Sequence, residues 1–160
     1  MQKPFLDDKF QITWSELKPE NIVSDITEAI EIAQNHVDLI SQPCPAGDEL
    51  TFENTLIALE SAYESLSRPW GLVSHLDSVS NSDPLREAYN AMLPKVSEFY
   101  SKVPLNSGLW NRIKAFSETE EAKSLSGTRL RFLEETLSDF QNSGADFPNE
   151  DKSRLMQIES

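Results

Sequence analysis

Only one cysteine, Cys44, occurs in 160 residues, so no internal disulfide can form. It lies in "QPCPAG", between Pro43 and Pro45, and that composition marks a loop. No neighbouring cation is present to lower its pKa, so it reads as a bystander thiol rather than a nucleophile. Glycine is scarce as well, with 5 residues, and none is arranged as a phosphate-cradling loop or a Gly-x-Ser-x-Gly elbow. Nowhere does an apolar run approach the roughly 18 residues of a membrane-spanning helix. Cations are outnumbered, 14 against 27 acids, for a formal net charge of −13. Such a surface repels phosphate backbones and anionic bilayers, so neither nucleic acid nor membrane is an expected partner. The opening "MQKPFLDDKF" carries acids early and has no apolar core, unlike a signal peptide, and the cytoplasm is the expected compartment.

Helical spacing is present almost everywhere. Pro19 with Glu20 makes a good first turn, and Ile22, Ile26, Ile30, Ala33, Val37 and Ile40 follow at three- and four-residue steps. Asp25, Glu28, Glu31 and Asn35 are assigned to the opposite, solvated face. The pattern ends at "SQPCPAGDE". Thr51 is the expected cap of the next helix, with Asn54 three residues on. Leu56, Leu59, Tyr63, Leu66, Trp70 and Val73 form its apolar face. Pro69 interrupts that run, and a kink or break is expected there, with Trp70 filling the opened space. Asp83 is the expected cap of a third helix, again interrupted, at Pro94. Further helices carry Leu109 to Phe116, then Leu130 to Phe140 behind Ser126 as cap. A last one starts at Pro148. Its apolar pattern, Leu155 and Ile158, has only begun where the sequence stops, as if cut in mid-helix. The fold class is all-α: about six helices in an irregular bundle with proline-kinked members. Residues 1–160 form one domain, with a leading segment over 1–18 and helices over 19–160.

Chemistry is harder to find. Zinc hydrolases pair two imidazoles four residues apart on one helix, with a Glu between them to polarise water. His36 and His75 are the only histidines, 39 residues apart, so neither has such a partner. A site joining them to distant acids is the alternative. His75 lies near Trp70 and Val73, and a packed imidazole with one or two hydrogen bonds is the favoured reading. "DSVSNSD" lacks the alternating oxygens, turn glycine and closing Glu of a calcium loop. Glu120-Glu121 and Glu134-Glu135 read as solvated faces, not catalytic dyads. Trp70, Trp110, Tyr89, Phe99 and Tyr100 read as core. No catalytic, cofactor-binding or metal residue is assigned.

Several stretches are more specific than this pattern requires: "TFENT" from Thr51, "SRPWGLVSHL" from Ser67, "NS" followed by "LREAYN" from Leu85, and Leu93-Pro94. Upstream stands "FQITWSELKPENI", downstream "LEETLSDFQNSGADFPNEDKSRLMQIES". Together they resemble the N-terminal region of the oligopeptidase A and thimet oligopeptidase family of zinc metallopeptidases, most of all its bacterial oligopeptidase A branch. The resemblance implies a metalloendopeptidase parent that degrades short peptides. In that family a His-Glu-x-x-His zinc site lies far downstream, and N-terminal helices wall a channel admitting short peptides. None of the zinc positions exists in this sequence. The chain is therefore expected to be inactive alone and to hold no cofactor, with zinc in the parent. Its expected partners are the missing C-terminal catalytic domain and, within the parent, short peptides. Apolar side chains meant for the missing part are expected to be exposed or to pair two copies as a homodimer. A free-standing helical interaction module is the alternative.

Overall fold

The computed structural model describes residues 3–44, 49–148, 150–152, 154 and 155. Two single 3-10 turns, Pro4–Leu6 and Trp14–Glu16, punctuate the leading segment. Then come α1 (Pro19–Ile40), α2 (Ala58–Val79), α3 (Asp83–Lys102), α4 (Ser107–Ser117), α5 (Glu120–Ser124) and α6 (Gly127–Asn142). Residues 150–152, 154 and 155 are helical again, whereas Ile158, the end of the last apolar pattern, lies outside the described residues. Among the described residues there is no strand, so the fold is all-α, as the spacing predicts.

Proline supplies the backbone angle of the first turn of α1, and Ile22, Ile26, Ala29, Ala33, Val37 and Ile40 bury one stripe. Each fully buried Ile contributes about 1.5–3 kcal/mol over leaving it in water. One expectation is corrected. Asp25 does not belong to the solvated face: it is fully buried. Its Oδ2 accepts the Phe5 N–H at 3.1 Å, its Oδ1 accepts the Ser24 hydroxyl at 3.0 Å, and Lys3 Nζ stands 3.7 Å away. A buried carboxyl needs such partners, and here they fasten the start of the chain to α1.

Thr51 and Asn54 cap each other before α2. The Asn54 N–H donates to Thr51 Oγ1 at 3.1 Å and the Thr51 N–H donates to Asn54 Oδ1 at 3.0 Å. The turn Glu53–Ile57 widens to π-helical geometry before α2 proper begins. Neither Pro69 nor Pro94 breaks its helix: α2 and α3 run continuously through them. The lost backbone bond is outweighed by burial on either side, by Leu66, Pro69 and Val73 in α2 and by Met92 and Val96 in α3. Two expected caps are also corrected. Ser82, not Asp83, holds the cap position of α3, and Asp83 is its first helical residue. Ser126 sits at the cap of α6 but its hydroxyl makes no cap bond. The working side-chain caps are Asn106 for α4, accepting from the Leu109 N–H, and Thr119 for α5, accepting from the Ala122 N–H.

Helix α1 packs on both α2 and α3, and the main core joins these three to α4 and Phe140. A smaller core gathers Phe52, Leu56, Phe116, Ala122 and Leu133 where the "TFENT" turn meets α4 to α6. The aromatic set falls largely inside: Phe99 and Trp110 are buried, and Trp70 stacks on Tyr89 with ring centroids 4.9 Å apart. At Gly108 the chain needs glycine, since a Cβ there would stand 2.5 Å from the Ser41 carbonyl oxygen.

Candidate functional site

The residues that could carry chemistry are kept apart. His36 is exposed on α1, its Nδ1 3.4 Å from the Ser65 hydroxyl. His75 lies ten residues beyond Ser65 on α2, about 15 Å further along the axis. The packed imidazole expected there is not what forms. His75 is exposed, and its ring leans on Trp14 at 5.3 Å. Among the described residues no three His, Cys, Asp or Glu side chains come together in a way that could hold a metal ion. The donor set of the described residues therefore does not fit a zinc ion.

Most acids the sequence singled out are spent locally. Glu120 pairs with Lys123 at 2.7 Å, and exposed Arg131 lies 3.5 Å from Glu135. Glu121 does more than expected, accepting the Phe52 N–H at 3.0 Å and so tying α5 to the "TFENT" turn. Asp77 bonds Arg86 at 3.0 Å, clasping the end of α2 to the start of α3. Cys44 is half-buried after α1. The Tyr63 ring lies tilted against Tyr100 with centroids 5.9 Å apart, and burial, with the nearby Glu60 carboxylate second, pushes its phenol up to about 12.

Three cationic residues escaped the sequence reading, and each fastens distant segments. Arg68 donates to the carbonyl oxygens of Asp7 and Lys9, laying the leading segment along α2. Arg112 donates to the Gln42 carbonyl at 3.3 Å and to the Asn54 carbonyl at 3.1 Å, closing the stretch between α1 and α2. Lys152, buried despite its charge, donates to the Ser107 hydroxyl at 3.0 Å. Guanidinium groups suit this work because several donors diverge from one plane. Arg68 and Lys152 lie inside the quoted stretches and Arg112 in none of them, and the partners of the three stand 45 to 70 residues away.

Two surface features remain. An open groove of about 700 Å³ runs between α1 and α3, floored by Ile30 and Phe99 and rimmed by Glu31, Lys95, Glu98 and Lys102. The second is a face built by the leading segment on α2. There Phe10 is wholly exposed and Trp14 is 45% exposed beside His75, with Val79 one turn further on.

These features define a helical domain whose polar groups hold the fold together and whose described residues bring together no metal-holding cluster. The neurolysin/thimet oligopeptidase N-terminal domain matches residues 20–152. Over 159 residues the chain is 33% identical to oligopeptidase A of Haemophilus influenzae, covering 99% of this chain and 23% of that protein. It is 30% identical over 158 residues to oligopeptidase A of Salmonella typhimurium, covering 99% and 23%. Against oligopeptidase A of Escherichia coli it is 31% identical over 146 residues, covering 91% and 21%. The chain belongs to the neurolysin/thimet oligopeptidase N-terminal domain family. It spans less than a quarter of the length of these relatives.

Proposed function

We propose that this chain is the N-terminal helical segment of a cytoplasmic, zinc-dependent oligopeptidase and lines the channel that admits short peptides. One observation carries the reading: nearly the whole chain matches under a quarter of oligopeptidase A. The scattering of His36 and His75 supports the second half of it, that zinc and the reacting groups belong to the remainder of the parent. The role left to this segment is steric. Rigid helices with a buried core exclude folded substrates without touching the scissile bond. Residues 1–18 act with 19–160 as one unit in this reading, because Asp25 and Arg68 hold the leading segment down.

The test mixes the purified chain with zinc and a short quenched-fluorescence peptide. The expected result is no cleavage above buffer. Cleavage that persists through repurification and is lost on chelation would contradict the assignment. A free-standing interaction module is a second reading, favoured by the exposed Phe10 and Trp14. A protein partner captured by the chain in the absence of any peptidase polypeptide would support it.

A further inference from the structure

We propose that Phe10, Trp14, His75 and Val79, with the bare backbone at Gly71, form the surface on which the rest of a peptidase polypeptide docks. The inference rests on the reading above and assigns its interface. The side chains come from two elements that Arg68 and the Trp14–His75 contact hold in register. On α2, Arg68, Gly71, Leu72, His75 and Val79 fall within about 100° of arc and about 16 Å of length. Beside that stripe, residues 7–14 run along the helix, from Arg68 at Asp7 and Lys9 to His75 at Trp14.

Three observations single this face out. Phe10 is exposed at 102%, which leaves its benzyl group standing in water. Large aromatic side chains in that state mark contact surfaces, and aromatics dominate interface centres. Gly71 stands in the middle of a 22-residue helix, where glycine is unfavourable, yet a Cβ there would meet nothing within 4 Å. No neighbour among the described residues explains that glycine, whereas an incoming surface that closes on the helix backbone does. Finally, the relatives that this chain matches are more than four times its length, so a peptidase of this family carries ample polypeptide to cover the face. The occupant is therefore that remainder, meeting the patch with apolar side chains.

The experiment joins the chain in frame to the part of Haemophilus influenzae oligopeptidase A that its match does not cover. Hydroxyl-radical footprinting then compares the joined protein with the chain alone, and peptide hydrolysis is measured on the same sample. The proposal expects Phe10 and Trp14 to oxidise at least about fivefold more slowly in the joined protein, because interface centres are desolvated. Leu39 is the internal control. It is 69% exposed one turn past His36, away from the patch, and is expected to oxidise at an unchanged rate. Hydrolysis with Phe10 and Trp14 as reactive as in the chain alone overturns the docking face and leaves the peptidase reading standing. No hydrolysis and no protection removes both. Protection in the chain alone that grows with concentration assigns the face to a second copy and overturns the proposal. One measurement needs no joining: Phe10→Ser with Val79→Ser in the chain alone is expected to hold Tm within about 2 °C. A loss greater than about 5 °C would show that these side chains serve the chain's own fold, and would overturn the proposal.

Discussion

The two sides of α2 obey opposite rules. Its inner side carries Leu59, Ala62, Leu66, Pro69 and Val73, all buried against the neighbouring helices. Its outer side carries an open glycine, an exposed histidine and an exposed valine beside Phe10 and Trp14. A self-contained domain has reason to build the first side and none to build the second. On the docking proposal, the inner side serves the chain's own fold and the outer side is left for the polypeptide that covers it. The difference predicts that substitutions fall into two groups, costly inside and free or even favourable outside.

Leu66→Ala sharpens the contrast most. The side chain is wholly buried between helices, and its removal is expected to lower stability by about 3 kcal/mol in urea unfolding, at an unchanged m-value. A loss below about 1 kcal/mol would mean a core loose enough to collapse around the gap. Next comes Asp25→Ala, which strands the buried Phe5 N–H and is expected to cost about 2 kcal/mol. Faster proteolysis within residues 1–18 should accompany it, as the leading segment loses its anchor. Alkaline pH probes the interior in a third way. The Tyr63 phenol sits at about 12 in the fold against its ordinary value of 10.0. The unfolded chain therefore releases this proton first as pH rises, and stability falls between those two values by about 2 kcal/mol. Tyr63→Phe should flatten that part of the curve. The smallest effect has the opposite sign. Gly71→Ala on the outer side is expected to raise the stability of the chain alone by up to about 1 kcal/mol, because helix propensity improves and nothing is crowded. A destabilising Gly71→Ala would erase the contrast between the two sides.

Legibility followed the same division. The stripe from Ile22 to Ile40, the Thr51–Asn54 cap and the Asp83-Pro84 start are local signals, and local signals carry helix existence and phase. Asp25 was misplaced because polarity alone assigned it to solvent. Its position three residues after Ile22 and four before Ala29 puts it on the buried arc. His75 was misread through closeness in sequence. Two residues from Val73 is about 200° around a helix, which turns the imidazole away from the core. Pro69 and Pro94 failed to interrupt because tertiary burial outweighs a local defect. For the candidate site, "SRPWGLVSHL" was visible as a motif, but its use was not. Arg68 works on Asp7 and Lys9, 61 and 59 residues back, and His75 works on Trp14. No periodicity reports a pairing at that separation.

The central claim is that these helices are a working part of a peptidase whose catalytic groups lie elsewhere in the polypeptide. It is tested most directly by comparing kcat/KM for a short quenched peptide between the Haemophilus influenzae remainder alone and the same remainder carrying this chain. The account predicts at least about tenfold higher kcat/KM with the chain attached, equivalent to about 1.4 kcal/mol of transition-state stabilisation. Equal values, with both proteins folded and zinc-loaded, would contradict it.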